Sequence, residues 1–273
     1  MSWLEAIILG IVQGLTEFLP ISSSGHLFFV PQLFGWQDPG ASFTAVIQLG
    51  TMAAVLLFFW RDIIRIASAW LRSLWTPALR GTLDARMGWY IILGTIPIAV
   101  FGLVFSDQIK TVARDLRLTA TMLIVFGILL WVADRFRPQR KTEADLTLRD
   151  GLIYGFAQAL ALIPGVSRSG ATITAGRALS YDRETAARFS FLLSIPAIVL
   201  SGLFEMKDIG AEGSVPWGPT IVATVVSFAV GYAAIAWLLR WLTSPSVLVF
   251  TIYRIVVGLG IFALLGAGVL SSG

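Results

Sequence analysis

One segment of this chain is written twice, and that duplication limits what the chain can fold into. Ile8–His26 (ILGIVQGLTEFLPISSSGH) aligns without a gap on Ile153–Ala171 (IYGFAQALALIPGVSRSGA), at a constant offset of 145. Ile8, Gly10, Gln13, Leu15, Ser22, Ser24 and Gly25 meet the same residue in the second copy. Each copy is an apolar helical pattern that runs into proline and then a hydroxyl-rich loop. The copies part company in their chemistry: the first carries Glu17 and His26, the second Arg168. An acid and an imidazole on one broken helix, with a guanidinium on the other, suit an anionic substrate.

Composition places these broken helices in a bilayer. Of 273 residues, 56% are hydrophobic and 13% charged, and the mean hydropathy of +0.81 is that of an integral membrane protein. The basic residues lie mostly between apolar spans and no basic stretch carries interleaved aromatics, which argues against a nucleic-acid partner. With no cysteine and a single histidine, disulfide and thiolate chemistry and a histidine-built zinc site are excluded. The N-terminus has neither the charged region nor the cleavage pattern of a signal peptide.

A bilayer crossing takes about 20 apolar residues, which predicts spans over 43–60, 87–105, 118–136, 188–204, 218–240 and 247–270. Trp3–Phe18 is interrupted by Glu5, Gln13 and Glu17 and stops at Pro20; Gly151–Ile163 is shorter and stops at Pro164. Irregular backbone at membrane depth needs protein or water around it, so residues 1–34 and 151–180 read as re-entrant helix pairs. The expected fold is all-α and integral to the membrane. Residues 1–140 and 150–273 form two inverted-topology repeats of one membrane domain, because three spans per copy is an odd number.

Loop charges orient it. Arg61, Arg65, Arg72, Arg80 and Arg86, then Arg135, Arg137, Arg140, Lys141 and Arg149, then Arg177, Arg183 and Arg188 mark the cytoplasmic side. The 205–217 loop, with Lys207 against Glu205, Asp208 and Glu212, belongs outside; so does 106–117, whose Lys110, Arg114 and Arg117 weaken the pattern. Both chain ends and the opening of the site are then expected on the outer face. Trp60, Trp75, Trp89, Trp131 and Trp241 fit an interfacial belt.

Gln13 and Glu17 are four apart and share a helix face. An ionisable residue at membrane depth usually faces a polar cavity. Ser22, Ser23, Ser24, Gly25 and His26 follow in one loop; Ser22 and Ser24 recur in the second copy, Ser23 does not. In that copy Ser167, Arg168, Ser169, Gly170 and Thr172 open a new helix, whose N-terminal amides favour an anion. Arg168 adds a planar fork for phosphate oxygens, or pairs with Glu17. Together these parts suggest attack on a phosphoryl group. Gln13 and Glu17 would hold a divalent metal through oxygen. The nucleophile is Ser23, or a water or hydroxyl activated by His26. Arg254, inside a span beside Tyr253, needs a partner, and Gln48 either lines the cavity or bridges helices.

Gln13–His26 (QGLTEFLPISSSGH) and Pro164–Thr172 (PGVSRSGAT) closely resemble the two signatures, (E/Q)xxxE and PGxSRSxxT, of the BacA-type undecaprenyl pyrophosphate phosphatases, and the span pattern agrees along essentially the whole chain. The resemblance implies a bacterial plasma (inner) membrane enzyme. It would hydrolyse undecaprenyl diphosphate to undecaprenyl phosphate and inorganic phosphate, regenerating the carrier for peptidoglycan and related polymers. It also implies bacitracin tolerance and a divalent cation, Mg or Ca. Matching catalytic positions are Glu17, Ser23, His26 and Arg168, with Ser167, Ser169 and Thr172 around the phosphates; Gln13 takes the amide option of its motif. Its partners would be undecaprenyl diphosphate and membrane lipids, and a homodimer is compatible with it. A lipid phosphatase of the PAP2 type needs two histidines and fails on count. An inverted-repeat transporter or flippase of a prenyl phosphate or other anionic lipid shares the outline, but translocation needs no nucleophile.

Overall fold

A computed structural model describes residues 1–112, 115–205, 216–243 and 246–271; Arg114, Lys207, Asp208 and Glu212 of the two loops assigned to the outer face lie outside it. α1 (Trp3–Phe18) and α2 (Ser23–Leu33) are followed by α3 (Gly40–Phe58), α4 (Trp60–Trp75), α5 (Leu83–Val104), α6 (Ser106–Val112) and α7 (Leu116–Phe136). Then come α8 (Leu148–Ala159), extended by a 3-10 turn over Leu160–Leu162, α9 (Arg168–Ala178), α10 (Arg183–Glu205), α11 (Trp217–Trp241) and α12 (Leu248–Gly266).

Six of these, α3, α5, α7, α10, α11 and α12, are long and apolar enough to cross a membrane. They are the six expected spans, with ends moved by a few residues. α1 and α8 are not among them, and the breaks fall where the prolines and serines predict. The duplication is visible in the backbone. α2 and α9 are each 11 residues long and begin 145 residues apart, at Ser23 and Arg168. The residue before each has a positive φ, 76° at Ser22 and 70° at Ser167. For a residue with a Cβ that conformation is costly, and here it reverses the chain so that a second short helix can leave the break.

Packing crosses between the copies. α1 lies along α11, and α8 lies along α5. Glycines permit both approaches: a Cβ on Gly10 would stand 2.5 Å from the Ala223 carbonyl, and one on its counterpart Gly155 would stand 2.3 Å from that of Gly94. Below the site, Asp134 of α7 accepts from Arg177 at 2.9 Å and from Arg183 at 2.7 Å, which ties α7, α9 and the start of α10 together.

α4 differs from the sequence expectation. The arginine-rich stretch after α3 is not a loop; it holds α4, which buries Ile66 and leaves Trp60, Ile64, Leu71 and Trp75 exposed. Arg65 bonds Asp62 and Asp84, and Arg188 of α10 bonds Asp62 at 2.8 Å. Trp60 and Trp75 are exposed at the two ends of α4, and Trp89 and Trp131 are exposed within about two turns of a span end. Trp241, the last residue of α11, is partly exposed and stacks on Trp237, its indole N–H buried without a partner.

Candidate active site

α1 ends one turn past Gln13, so Glu17 lies at the mouth of the first break. Its side chain is 5% exposed. One carboxylate oxygen accepts from the Ser23 hydroxyl at 2.8 Å and from the Gln13 amide at 3.3 Å. The other accepts from Arg168 at 3.2 Å. The two motifs, 151 residues apart, therefore meet at one carboxylate. Ser23 and Arg168 occupy the same place in the two copies, the first residue of α2 and of α9, where unpaired helical amides and the helix dipole favour negative charge.

The remaining hydroxyls mostly build this frame. The oxygens of Ser22 and Ser24 are 3.4 Å apart, and those of Ser167 and Ser169 are 3.2 Å apart. Ser167 accepts from the Gly170 amide at 3.1 Å as an N-cap. Ser169 donates to the Leu19 carbonyl at 3.0 Å, which ties the start of α9 to the end of α1. Thr172 is buried and donates back to Arg168 and Ser169 carbonyls. Gly25 is buried against Thr119, which a Cβ would meet at 2.9 Å.

His26 is placed beside this cluster but not in hydrogen-bond contact with Ser23. Its Nδ1 meets the Ser22 carbonyl at 2.7 Å, so that nitrogen carries the proton, and its Nε2 meets the Tyr253 hydroxyl at 2.6 Å. The two rings stack at 5.6 Å. Tyr253, like Thr51, whose hydroxyl lies 3.5 Å from the Gln13 amide, was not among the sequence candidates. An aromatic beside a buried arginine in a span was the available hint for the first; the second carries no local signal.

Arg254 proves structural in its contacts. Wholly buried, it donates to the carbonyls of Pro20, Met122, Leu123, Gly165 and Val166. It thus satisfies carbonyls freed at both helix breaks, in place of a carboxylate partner. Gln48 bridges α3 to α10 through Ser201 at 3.1 Å.

For a cation, the donor chemistry fits narrowly. Among the described residues no group of three His, Cys, Asp or Glu side chains converges. The Gln13 amide oxygen, however, is buried without a partner beside Glu17. One carboxylate and one amide oxygen suit a hard cation that draws its other ligands from water and substrate phosphates.

Known proteins resemble this chain along its whole length. The family model described as "Bacitracin resistance protein BacA" matches residues 6–260. The undecaprenyl-diphosphatase of Nocardioides sp. is 56% identical over 273 residues, covering all of both chains. That of Streptomyces griseus is 58% identical over 283 residues, covering 99% of this chain and 97% of the relative; undecaprenyl-diphosphatase 2 of Streptomyces avermitilis is 54% identical with the same coverage. A multi-pass membrane protein whose two broken helices carry both signatures, and which matches that family model over nearly its whole length, this chain belongs to the BacA family.

Proposed function

We propose that the protein hydrolyses undecaprenyl diphosphate to undecaprenyl phosphate and inorganic phosphate. In a bacterial plasma membrane this recycles the carrier lipid of cell-wall polymers and gives tolerance to bacitracin. The observation that carries the reading is the Ser23–Glu17–Arg168 contact: a hydroxyl, a base and an anion holder within one carboxylate's reach, at two helix N-termini. A carrier of anionic lipids needs the guanidinium and the amides but has no use for a hydroxyl held on a carboxylate.

In the proposed chemistry Arg168 leaves Glu17 for the terminal phosphate, and the α2 and α9 amides take up charge on its oxygens. The Ser23 oxygen attacks the terminal phosphorus while Glu17 accepts its proton. The bond to the bridging oxygen breaks, and its electron pair leaves with the lipid phosphate, which takes the proton from Glu17. Water then hydrolyses the phosphoserine. Mg or Ca, held by Glu17 and the Gln13 amide oxygen, would neutralise diphosphate charge when bound. His26, fixed by Ser22 and Tyr253, orients the start of α2.

The test is phosphate release from a C55 or C15 prenyl diphosphate by purified protein. Activity should require the divalent cation and fall by about 10³-fold or more in Glu17→Ala and in Arg168→Ala, both still folded. Release that survives either substitution would remove this site from the reaction.

A further inference from the structure

Beside the Glu17–Arg168 pair lies a cavity of 10 Å³. Its polar wall is Glu17, Arg168, Ser169 and two residues of α10, Ser190 and Ser194; Phe18, Phe191 and Ile198 complete the lining. A single buried water needs about 10–15 Å³ and two to four polar partners. Ser190 and Ser194, four apart on one helix face, are 2% and 6% exposed. Each spends its only proton on its own helix: Ser190 donates to Ala186 at 2.6 Å, Ser194 to Phe191 at 2.7 Å. Ser169 spends its proton across on α1, donating to Leu19 at 3.0 Å. The Ser190 and Ser194 lone pairs are therefore left to accept, while one of Ser169's is taken by Ser167. Back-bonded serines are ordinary in membrane helices; two of them bordering a water-sized cavity that also holds a carboxylate and a guanidinium are not.

We infer that this cavity seats the hydrolytic water, and that Ser190 and Ser194 are its positioning residues. The inference rests on the phosphatase reading and supplies that reading's second step. The water gives one proton to Glu17, shares the other between the Ser190 and Ser194 oxygens, and accepts from an Arg168 N–H. Its oxygen bonds to phosphorus as the bond from phosphorus to the Ser23 oxygen breaks. Glu17 takes the water's proton and returns it to the Ser23 oxygen, leaving inorganic phosphate. α10 thus completes a site whose reacting groups, Glu17, Ser23 and Arg168, come from the two broken helices.

Two measurements on the whole protein test this. Radiolytic labelling in ¹⁸O-water marks side chains next to ordered internal water. Phe18 and Phe191, 1% and 2% exposed, should be oxidised with the label, whereas Phe43 and Phe189, equally buried, should not. The second uses farnesyl diphosphate labelled in its terminal phosphate, with Ser190→Ala, Ser194→Ala and the double variant. Phosphate release should slow by about 10- to 100-fold, the worth of a lost hydrogen bond at a buried group. Farnesyl phosphate should still appear in a burst of about one per enzyme, with label trapped on Ser23 and KM little changed. A merely structural role would slow both products together and trap nothing. Unlabelled Phe18 and Phe191, or variants that release phosphate at the wild-type rate or lose both products alike, would overturn the inference. Should the double variant not fold, the single ones decide. A wild type that releases no phosphate would instead remove the phosphatase reading itself, and labelled phenylalanines would then still mark a water site.

Discussion

Ser23, in contact with Glu17, and Tyr253, which reaches the site only through His26, predict different losses. Ser23 is 2.8 Å away and is the proposed nucleophile; Ser23→Ala should reduce phosphate release by about 10³-fold or more with the fold unchanged. Tyr253 lies one step removed, through the His26 ring at 2.6 Å. Losing one neutral hydrogen bond is worth about 1 kcal/mol, so Tyr253→Phe should cost roughly fivefold in kcat/KM. Equal losses in the two variants would mean that His26 takes part in the chemistry through Tyr253 and is more than a brace for α2. At this scale Glu17, Ser23 and Arg168 were legible because their residue types only make sense together at membrane depth. Thr51 and Tyr253 were not: their roles exist only where α3 and α12 arrive from 38 and 227 residues away.

At the scale of elements, the broken helices stand because neighbours fill what the breaks leave open. Arg254 answers the carbonyls, and glycines let α1 and α8 approach α11 and α5. Gly10→Ala and Gly155→Ala would each drive a methyl into a facing backbone carbonyl. Overpacking of that kind costs about 1–3 kcal/mol, so both should lower the melting temperature in detergent. Gly260→Ala, with nothing within 4 Å of its added carbon, should be neutral or slightly stabilising. A melting temperature unmoved by Gly155→Ala would mean that α8 and α5 pack less closely than the structure has them. The six spans were readable from length and hydropathy alone. α4 was hidden because Arg61, Arg65 and Arg72 dilute a window average, although Ile63, Ile66 and Trp70 recur at helical spacing. Its acid Asp62 reaches Arg188 in another helix, a pairing no local pattern announces.

Across the whole molecule, the 145-residue offset holds in sequence, in helix bounds and in the strained serines. An odd number of spans between the copies then requires them to enter from opposite faces, which is the basis for proposing an inverted repeat. From the arginine-rich segments we propose that α4 and the turn before α8 face the cytoplasm and that the site opens outward. The native chain has no cysteine, so single substitutions report this cleanly. Gln37→Cys, between α2 and α3, should react with a membrane-impermeant maleimide in intact cells. Ala78→Cys and Gln139→Cys, in two of the three basic segments and exposed, should react only after the membrane is opened. The opposite pattern would turn the molecule over and place Glu17 and Arg168 within reach of the cytoplasm, where they would meet a substrate from the other leaflet.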